Sequence, residues 1–340
     1  MRSAFIDNIK GMACLLIVFH HLAFYGPMSD VAHQVIPKTI EFFFEYGRMA
    51  VAVFLCLGGF LTGIKISEPN YFVKNNAFAT IGRKYIRLLI PYLAAIVLAI
   101  LCSWIAKQWM QHDSISENPE VLQLISHLFF LQNIVGYESL SAGLWYGAID
   151  FQLFVVSVLI VFLVEKFSPA GWRHATTRSI SLIIFVLLII SSVLFFNRHD
   201  VFDVWFMYYF ASYGFGLLAA FWIQKPGHYA LIAVIGACLA LGLYEEFRVR
   251  LLISLLTAWL LYLSHQSTWG QSTLWHNHLG LLGKISYSVF LVHFPISLLI
   301  SSLWVQLFPQ DPWMNVVGMI TSAVTSILVA IPFYQFIEKN

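Results

Sequence analysis

Long apolar segments recur from one end of the chain to the other, and they constrain the fold more than any other feature of the sequence. A helix needs about 20 mostly apolar residues to cross the roughly 30 Å hydrocarbon core of a membrane. Residues 121–135 are apolar but too short to cross comfortably. We therefore predict an all-α polytopic membrane helical bundle with one short re-entrant or interfacial segment and ten transmembrane helices, at roughly residues 10–27, 40–64, 83–106, 145–165, 178–196, 203–223, 228–244, 249–264, 283–305 and 314–336.

The composition supports a membrane protein and excludes several other classes. The chain is 59% hydrophobic and 11% charged, which is outside the range of soluble globular domains. The ten segments leave no room for a separate soluble domain, so we predict that residues 1–340 form a single integral membrane domain. A net charge of +2 without a polybasic tract gives no indication of a nucleic-acid partner. Since no metal-ligand spacing occurs within a predicted span, we expect no metal site.

The distribution of basic residues predicts the orientation of the bundle. With the N-terminus in the cytoplasm, thirteen of the 19 Lys and Arg residues lie on the cytoplasmic side, five lie on the other side and Arg48 lies within the membrane. Lys and Arg in short loops favour the cytoplasmic side of a membrane. We therefore predict that both termini are cytoplasmic.

The first predicted span carries one lysine and two adjacent histidines. In "IDNIKGMACLLIVFHH", residues 6–21, Lys10 precedes the apolar run and His20 and His21 end it. Lys10 and His21 are about 20° from the same helix face and about 16 Å apart along the axis. They are expected to line one wall, whereas His20 projects about 100° away from it.

Three further ionisable residues fall within predicted spans, where a charge is costly unless it faces a cavity and has a partner. Arg48 and Asp150 lie at similar depths in the second and fourth spans. We predict that they neutralise each other, either as a structural ion pair or within a site. His293, in the ninth span, is either a hydrogen-bonded core histidine or a functional residue alongside the two buried histidines of the first span.

The third span opens with the basic sequence "RKYIRLLIP". Arg83 and Arg87 are four residues apart and share a helix face, and Lys84 lies between them. Together with the free N–H groups of a helix N-terminus, this pattern favours a phosphate site. The alternative is ordinary anchoring of the helix on the cytoplasmic side.

These motifs, in this order, resemble the acyltransferase type 3 family of integral membrane acyltransferases. The opening segment is similar to the family's block in which a basic residue is followed by a histidine, here Lys10 and His21. Further blocks follow along the chain, as "VAVFLCLGGFL", "RKYIRLLIPY", "LWYGAIDFQLF" and "ISYSVFLVHFPI", and the closing "PFYQFIEKN" is also similar. The resemblance spans the whole chain and implies a stand-alone form without a fused esterase-like domain.

Four positions depart from the family pattern. Lys10 stands where Arg is usual, Asp150 where Glu is usual, Gly58 where Ser is usual and Leu55 where a second Phe is usual. Lys keeps the charge of Arg but cannot make its planar bidentate contact. Gly58 has no hydroxyl group to offer.

The resemblance implies transfer of an acyl group, most commonly acetyl, from cytoplasmic acyl-CoA to a hydroxyl of a surface or lipid-linked sugar across the plasma membrane, the bacterial inner membrane. We predict that His21 is the general base, since burial favours the neutral imidazole that this role needs. Asp150 is a second catalytic candidate, which would orient an imidazole or bind the sugar. The remaining site residues are predicted to bind the donor phosphates (Lys10, Arg83, Lys84 and Arg87) or the acceptor and the oxyanion (Arg48, His293, Trp145 and Tyr287).

Several alternatives stay open from the sequence. Direct transfer and an acyl-histidine relay are equally compatible with His21, and His20 is not distinguished from His21 as the reactive group. Buried His, Arg and Asp would also suit a proton-coupled transporter or flippase, and a non-catalytic scaffold is a third possibility. The acceptor, the acyl group and the oligomeric state are not specified.

Overall fold

The computed structural model describes residues 4–68, 71–169, 174–225, 227, 229–266 and 278–339. These residues contain no β-strand. They form fifteen α-helices: α1 Ala4–Tyr25, α2 Pro27–Ala32, α3 Pro37–Tyr46, α4 Ala50–Ile66, α5 Tyr71–Lys74, α6 Ala77–Ala106, α7 Val121–Leu128, α8 Leu144–Phe167, α9 His174–Leu194, α10 Phe206–Gln224, α11 Tyr229–Glu245, α12 Val249–Gln266, α13 His278–Lys284, α14 Ser286–Leu307 and α15 Pro312–Phe333.

All ten predicted spans coincide with helices, so the prediction of a helical membrane bundle is confirmed. Among the described residues, α11 and α12 have 17 and 18 residues and fall just short of the length and hydropathy that the other spans reach. Within the described ranges, eight helical stretches are long and apolar enough to cross a membrane: Ala4–Tyr25, Pro37–Ile66, Ala77–Ala106, Leu144–Phe167, Ala175–Arg198, Phe206–Gln224, Ser286–Leu307 and Pro312–Glu338.

The short segment predicted at 121–135 is a single eight-residue helix, α7, followed by turns. At about 1.5 Å per residue α7 is only about 12 Å long, which is too short to cross. Leu122, Ile125 and Phe129 are exposed. His127 is fully enclosed; its Nδ1 donates to the Gln123 carbonyl, and its Nε2 accepts from the backbone N–H of Leu140. Burial lowers the pKa of His127, which keeps it in this neutral hydrogen-bonding form.

The chain divides into two compact units. Unit 1 contains the described residues of Met1–Ile6, Ala52–Tyr85 and Ala148–Thr273, and unit 2 contains those of Asp7–Val51, Ile86–Gly147 and Leu274–Asn340. Each unit is therefore assembled from segments that are far apart in sequence.

In unit 2, the start of α1 is locked against α13. A Cβ atom added to Gly11 would collide with the carbonyl oxygen of Leu279, and one added to Gly283 would collide with the carbonyl oxygen of Asp7. Two glycines thus let the two helix backbones touch. The same unit packs α14 against α15, and α2 against both.

In unit 1, α10 packs between α9 and α12, and α9 also packs against α11. Arg178 of α9 links two helix ends, because its guanidinium donates to the carbonyl oxygens of Ser67 and Phe221. The Ser67 carbonyl lies just beyond the last residue of α4, and the Phe221 carbonyl, in the last turn of α10, also accepts from the backbone N–H of Lys225. Glu165 of α8 accepts from the backbone N–H of Phe72 (2.9 Å) and holds the start of α5.

Candidate active site

Two buried histidines, from α1 and α14 of unit 2, are hydrogen-bonded to each other. The Nδ1 atom of His21 lies 2.6 Å from the Nε2 atom of His293, and the two ring planes are 7° from parallel. His293 is completely enclosed, whereas His21 retains 7% of its surface. The rings of Tyr25 and Phe294 pack edge-on against His21. The pair therefore sits in an apolar, aromatic environment with access on the His21 side.

The carbonyl group of Val289 determines where the protons of this pair lie. His293 Nδ1 is 3.0 Å from the Val289 oxygen, one helical turn earlier. A carbonyl oxygen can only accept, so His293 carries its proton on Nδ1 and, when neutral, must accept on Nε2. His21 therefore donates from Nδ1, and its own Nε2 is left with a free lone pair. Among the described residues, none forms a hydrogen bond with that nitrogen.

This geometry corrects the oxyanion role predicted for His293. Both of its ring nitrogens are already engaged, one by Val289 and one by His21. It has no further N–H group to offer to an oxyanion. Its position makes it a residue that orients His21.

The neighbouring His20 faces a different part of unit 2. Its Nδ1 donates to the carbonyl oxygen of Phe43 in α3 at 3.0 Å, and its ring lies 5.6 Å from that of Phe24. The predicted separation of the two histidines around α1 is thus observed, and the geometry favours His21 as the reactive group.

Arg48 does not form the ion pair predicted with Asp150. It lies in the 3₁₀ turn Gly47–Met49 between α3 and α4, and its side chain is exposed. The described part of the chain provides no carboxylate partner for it.

Asp150 of α8 instead binds Lys84 of α6, and both residues belong to unit 1. The Lys84 ammonium donates to Asp150 Oδ2 at 2.7 Å, with the two side chains 28% and 11% exposed. Lys84 also lies 5.4 Å above the ring of Phe154. The structure therefore places Lys84 on Asp150 rather than with the predicted phosphate-binding residues. The catalytic role of Asp150 stays a prediction.

The glycine at position 58 makes room for this ion pair. A Cβ atom at Gly58 would lie 2.8 Å from Asp150 Oδ1 and 3.3 Å from the ring of Tyr213. Tyr213 is held in place because its hydroxyl donates to Thr62 Oγ1 at 2.8 Å. Any side chain at Gly58 would have to displace one of these groups. This crowding explains why glycine stands here in place of the serine that is usual in the family pattern.

Arg83 and Arg87 are both exposed and lie one turn apart on α6. Arg83 donates to Thr80 Oγ1 at 3.1 Å, and neither arginine pairs with a carboxylate within the described ranges. The predicted contribution of a helix N-terminus is wrong, since α6 begins at Ala77, about 9 Å before Arg83. Their two guanidinium groups alone remain as the anion-binding element.

Lys10 and His21 lie on one uninterrupted helix, α1, as predicted. Their eleven-residue separation therefore corresponds to about 16 Å along one wall. Lys10 is partly buried and interacts with other groups of the protein.

Trp145 and Tyr287, both predicted near the acceptor or the oxyanion, belong to unit 2 and are half-buried. The Tyr287 hydroxyl donates to the carbonyl oxygen of Leu88 at 3.1 Å, near Pro91 in α6. Trp145 packs edge-on against Tyr146. The acceptor role of both residues stays a prediction.

Two features of the site escaped the sequence analysis. The Val289 carbonyl is a backbone group, and its only signal is a spacing of four residues from His293, which brings a side chain back onto the preceding turn of a helix. The Lys84–Asp150 pair joins two spans, and its only signal was the presence of both charges in predicted helices.

Comparison with known proteins agrees with the resemblance that the motif blocks indicated. A model of the acyltransferase domain family matches residues 3–335, nearly the entire chain. No curated protein and no solved structure matches it. The motif order, the helical bundle and this match lead to one conclusion: the chain belongs to the acyltransferase type 3 family of membrane acyltransferases.

Proposed function

We propose that this protein transfers an acyl group from acyl-CoA to a hydroxyl group, with Nε2 of His21 as the general base. The observation that carries the proposal is the hydrogen-bond series from the Val289 carbonyl through His293 to His21. It leaves an unprotonated imidazole nitrogen in an apolar site, which is the form of histidine that can accept a proton from an alcohol. Membership of an acyltransferase family favours this function over the transporter alternative.

The proposed reaction proceeds through His21 as follows. Nε2 takes the proton of the acceptor hydroxyl while the hydroxyl oxygen attacks the thioester carbonyl carbon, forming a C–O bond. The tetrahedral intermediate collapses, the C–S bond breaks, and the CoA thiolate receives the proton from Nε2. The products are the acyl ester and CoA. His293 accepts from Nδ1 throughout and stabilises the imidazolium that forms transiently.

The donor phosphates are proposed to bind Arg83 and Arg87. Two exposed guanidinium groups one helical turn apart, without carboxylate partners among the described residues, suit planar contacts to phosphate. Lys10 lies about 16 Å from His21 along α1, and a pantetheine arm is long enough to follow such a distance. This distance supports a donor that enters at the predicted cytoplasmic end of α1.

Acetyl from acetyl-CoA is the proposed acyl group, and a surface or lipid-linked sugar is the proposed acceptor, in the bacterial inner membrane. These three assignments follow from the family resemblance. Mass spectrometry of surface glycans and lipids from cells with and without the gene would identify the acyl group and the acceptor together.

The test of the function uses purified protein in liposomes with radiolabelled acetyl-CoA and a glycan extract, and it measures CoA release and labelled ester. His21→Ala should lower the rate by about 10²- to 10⁴-fold, the usual contribution of a general base. His20→Gln, which keeps a donor for the Phe43 carbonyl, is the matched control and should stay near the wild-type rate. A folded His21→Ala protein with unchanged turnover would refute the proposal.

The same liposomes separate the remaining alternatives. Label that stays on the wild-type protein after rapid denaturation at neutral pH, and that is released by acid, would indicate an acyl-histidine relay. Accumulation of an acceptor in the lumen without acyl-CoA would support a transporter instead.

A further inference from the structure

Unit 1 contains an apolar cavity of about 520 Å³ that the proposed acyl transfer does not use. Four helices line it, α9, α10, α11 and α12, and its walls include Val186, Phe215 and Ile235. Among the described residues, Lys225 is the only charged one in the lining. The described lining of the cavity is therefore apolar apart from one cationic side chain.

The cation lies at one end of this space. Lys225 directly follows the last residue of α10, and its side chain is exposed. Among the described residues, no carboxylate pairs with it. Tyr262, near the end of α12, and Trp222, near the end of α10, also line the cavity, as expected for residues at a membrane–water interface.

The depth of the cavity matches one leaflet of a membrane. Its lining continues along α11 as far as Leu239, ten residues beyond the start of that helix at Tyr229. This distance is about 15 Å, half of the roughly 30 Å hydrocarbon core. A single lipid chain entering beside Lys225 would end near the midplane.

The cavity is also accessible from the side. The helices that pack together form the series α11, α9, α10 and α12, so α11 and α12 are its two ends. Lining residues on those two helices are exposed: Ile232 by 44%, Leu255 by 42% and Trp259 by 56%. In a membrane these side chains face hydrocarbon, and a lipid chain can enter between α11 and α12 without crossing water.

We propose that this cavity binds one acyl chain of an anionic phospholipid from the leaflet on the Lys225 side, with the headgroup phosphate on the Lys225 ammonium. The apolar walls favour an acyl chain, the cation at the mouth favours a negative headgroup, and the depth of the cavity matches one leaflet. The site is independent of the proposed acyl transfer.

The experiment uses the full chain in nanodiscs that contain a trace of photoactivatable phosphatidylglycerol with a diazirine in the distal half of its acyl chain. Crosslinked peptides are identified by mass spectrometry. Labelling is expected on α11 around Ile235 and Leu239. A phosphatidylcholine analogue with the same chain should label these positions about 5-fold less, because one lysine near an anionic surface contributes about 1 kcal/mol.

Two variants and one control test the two parts of the site. Lys225→Gln should remove the preference for phosphatidylglycerol, whereas Lys65→Gln, at an exposed lysine that does not line the cavity, should keep it. Gly236→Phe should block labelling by both lipids, because a side chain at Gly236 meets no other atom within 4 Å and points into free space. Equal labelling by both lipids in the wild type, or labelling that Gly236→Phe does not reduce, would overturn the proposal.

Discussion

At the scale of single residues, the function depends on which nitrogen of each histidine carries a proton. The sequence indicated that His21 and His293 lie inside the membrane, because each interrupts an apolar run. It could not show that they touch, since they are 272 residues apart and helical periodicity reports only on neighbours within one helix. The positions of the two protons follow from the backbone carbonyl of Val289, whose side chain is apolar and forms no hydrogen bond.

The positioning role of His293 leads to a prediction with two substitutions. His293→Phe removes the acceptor for His21 Nδ1, and we expect kcat to fall by about 10²-fold or more, as when an orienting group is lost from a catalytic triad. His293→Gln keeps an acceptor oxygen and should recover part of the rate. Steady-state kinetics would measure both variants.

The KM for acyl-CoA should be unchanged in both proteins, because His293 is enclosed and does not reach the donor. An equal loss in kcat for Phe and Gln would show that His293 acts only through packing, and a change confined to KM would contradict its role in orienting His21.

At the scale of elements, α6 shows both the strength and the limit of sequence reasoning. Its apolar run was visible, but the basic residues from Arg83 onward were taken as the start of the helix, so the predicted start at residue 83 was six residues late. Because of that error, the sequence analysis wrongly placed the free N–H groups of a helix N-terminus beside Arg83 and Arg87. The two arginines do share one exposed face, which was predictable from their spacing alone.

Replacing both arginines tests α6 as the donor-binding element. The Arg83→Gln/Arg87→Gln protein should have a KM for acyl-CoA raised by about 10-fold or more, from the loss of charged hydrogen bonds to phosphate. Its kcat at saturating donor should change little.

Lys166→Gln provides the control, because Lys166 is another basic residue on the predicted cytoplasmic side and lies beside Phe162 and Phe167. An unchanged KM in the double variant would remove the phosphate role from these arginines.

The contact between α1 and α13 gives a stability prediction. Gly283→Ala forces a methyl group into the carbonyl of Asp7, so we expect a loss of about 1–3 kcal/mol, typical of overpacking. Gly82→Ala is the matched control, because a Cβ atom there meets nothing within 4 Å and alanine favours the helix.

Thermal unfolding of the two detergent-purified variants would measure this difference. Equal midpoints for Gly283→Ala and Gly82→Ala would contradict the close approach of the two helices.

At the scale of the whole molecule, hydropathy was sufficient to locate the helices and insufficient to pair them. The length of each apolar run is set by the thickness of the membrane, so ten helices could be placed without any knowledge of contacts. The Lys84–Asp150 pair replaced the predicted Arg48–Asp150 pair because similar depth does not specify which helices are neighbours.

The predicted orientation is testable on the whole chain. In a variant without the native cysteines, Lys74→Cys should react with a membrane-impermeant maleimide only after the cells are permeabilised, whereas Asp113→Cys should react in intact cells. Both positions are exposed, and they fall on opposite sides if the N-terminus is cytoplasmic. The reverse labelling pattern would invert the proposed entry of the donor.

The most direct test of the central claim is nitrogen-15 NMR of the protein in membranes with labelled histidine, in which His21→Gln and His293→Gln assign the two signals. We predict that His21 and His293 are both neutral, each with its proton on Nδ1, and that Nε2 of His21 is unprotonated at neutral pH. A spectrum with the proton of His21 on Nε2, or with His21 doubly protonated, would contradict its proposed role as the general base.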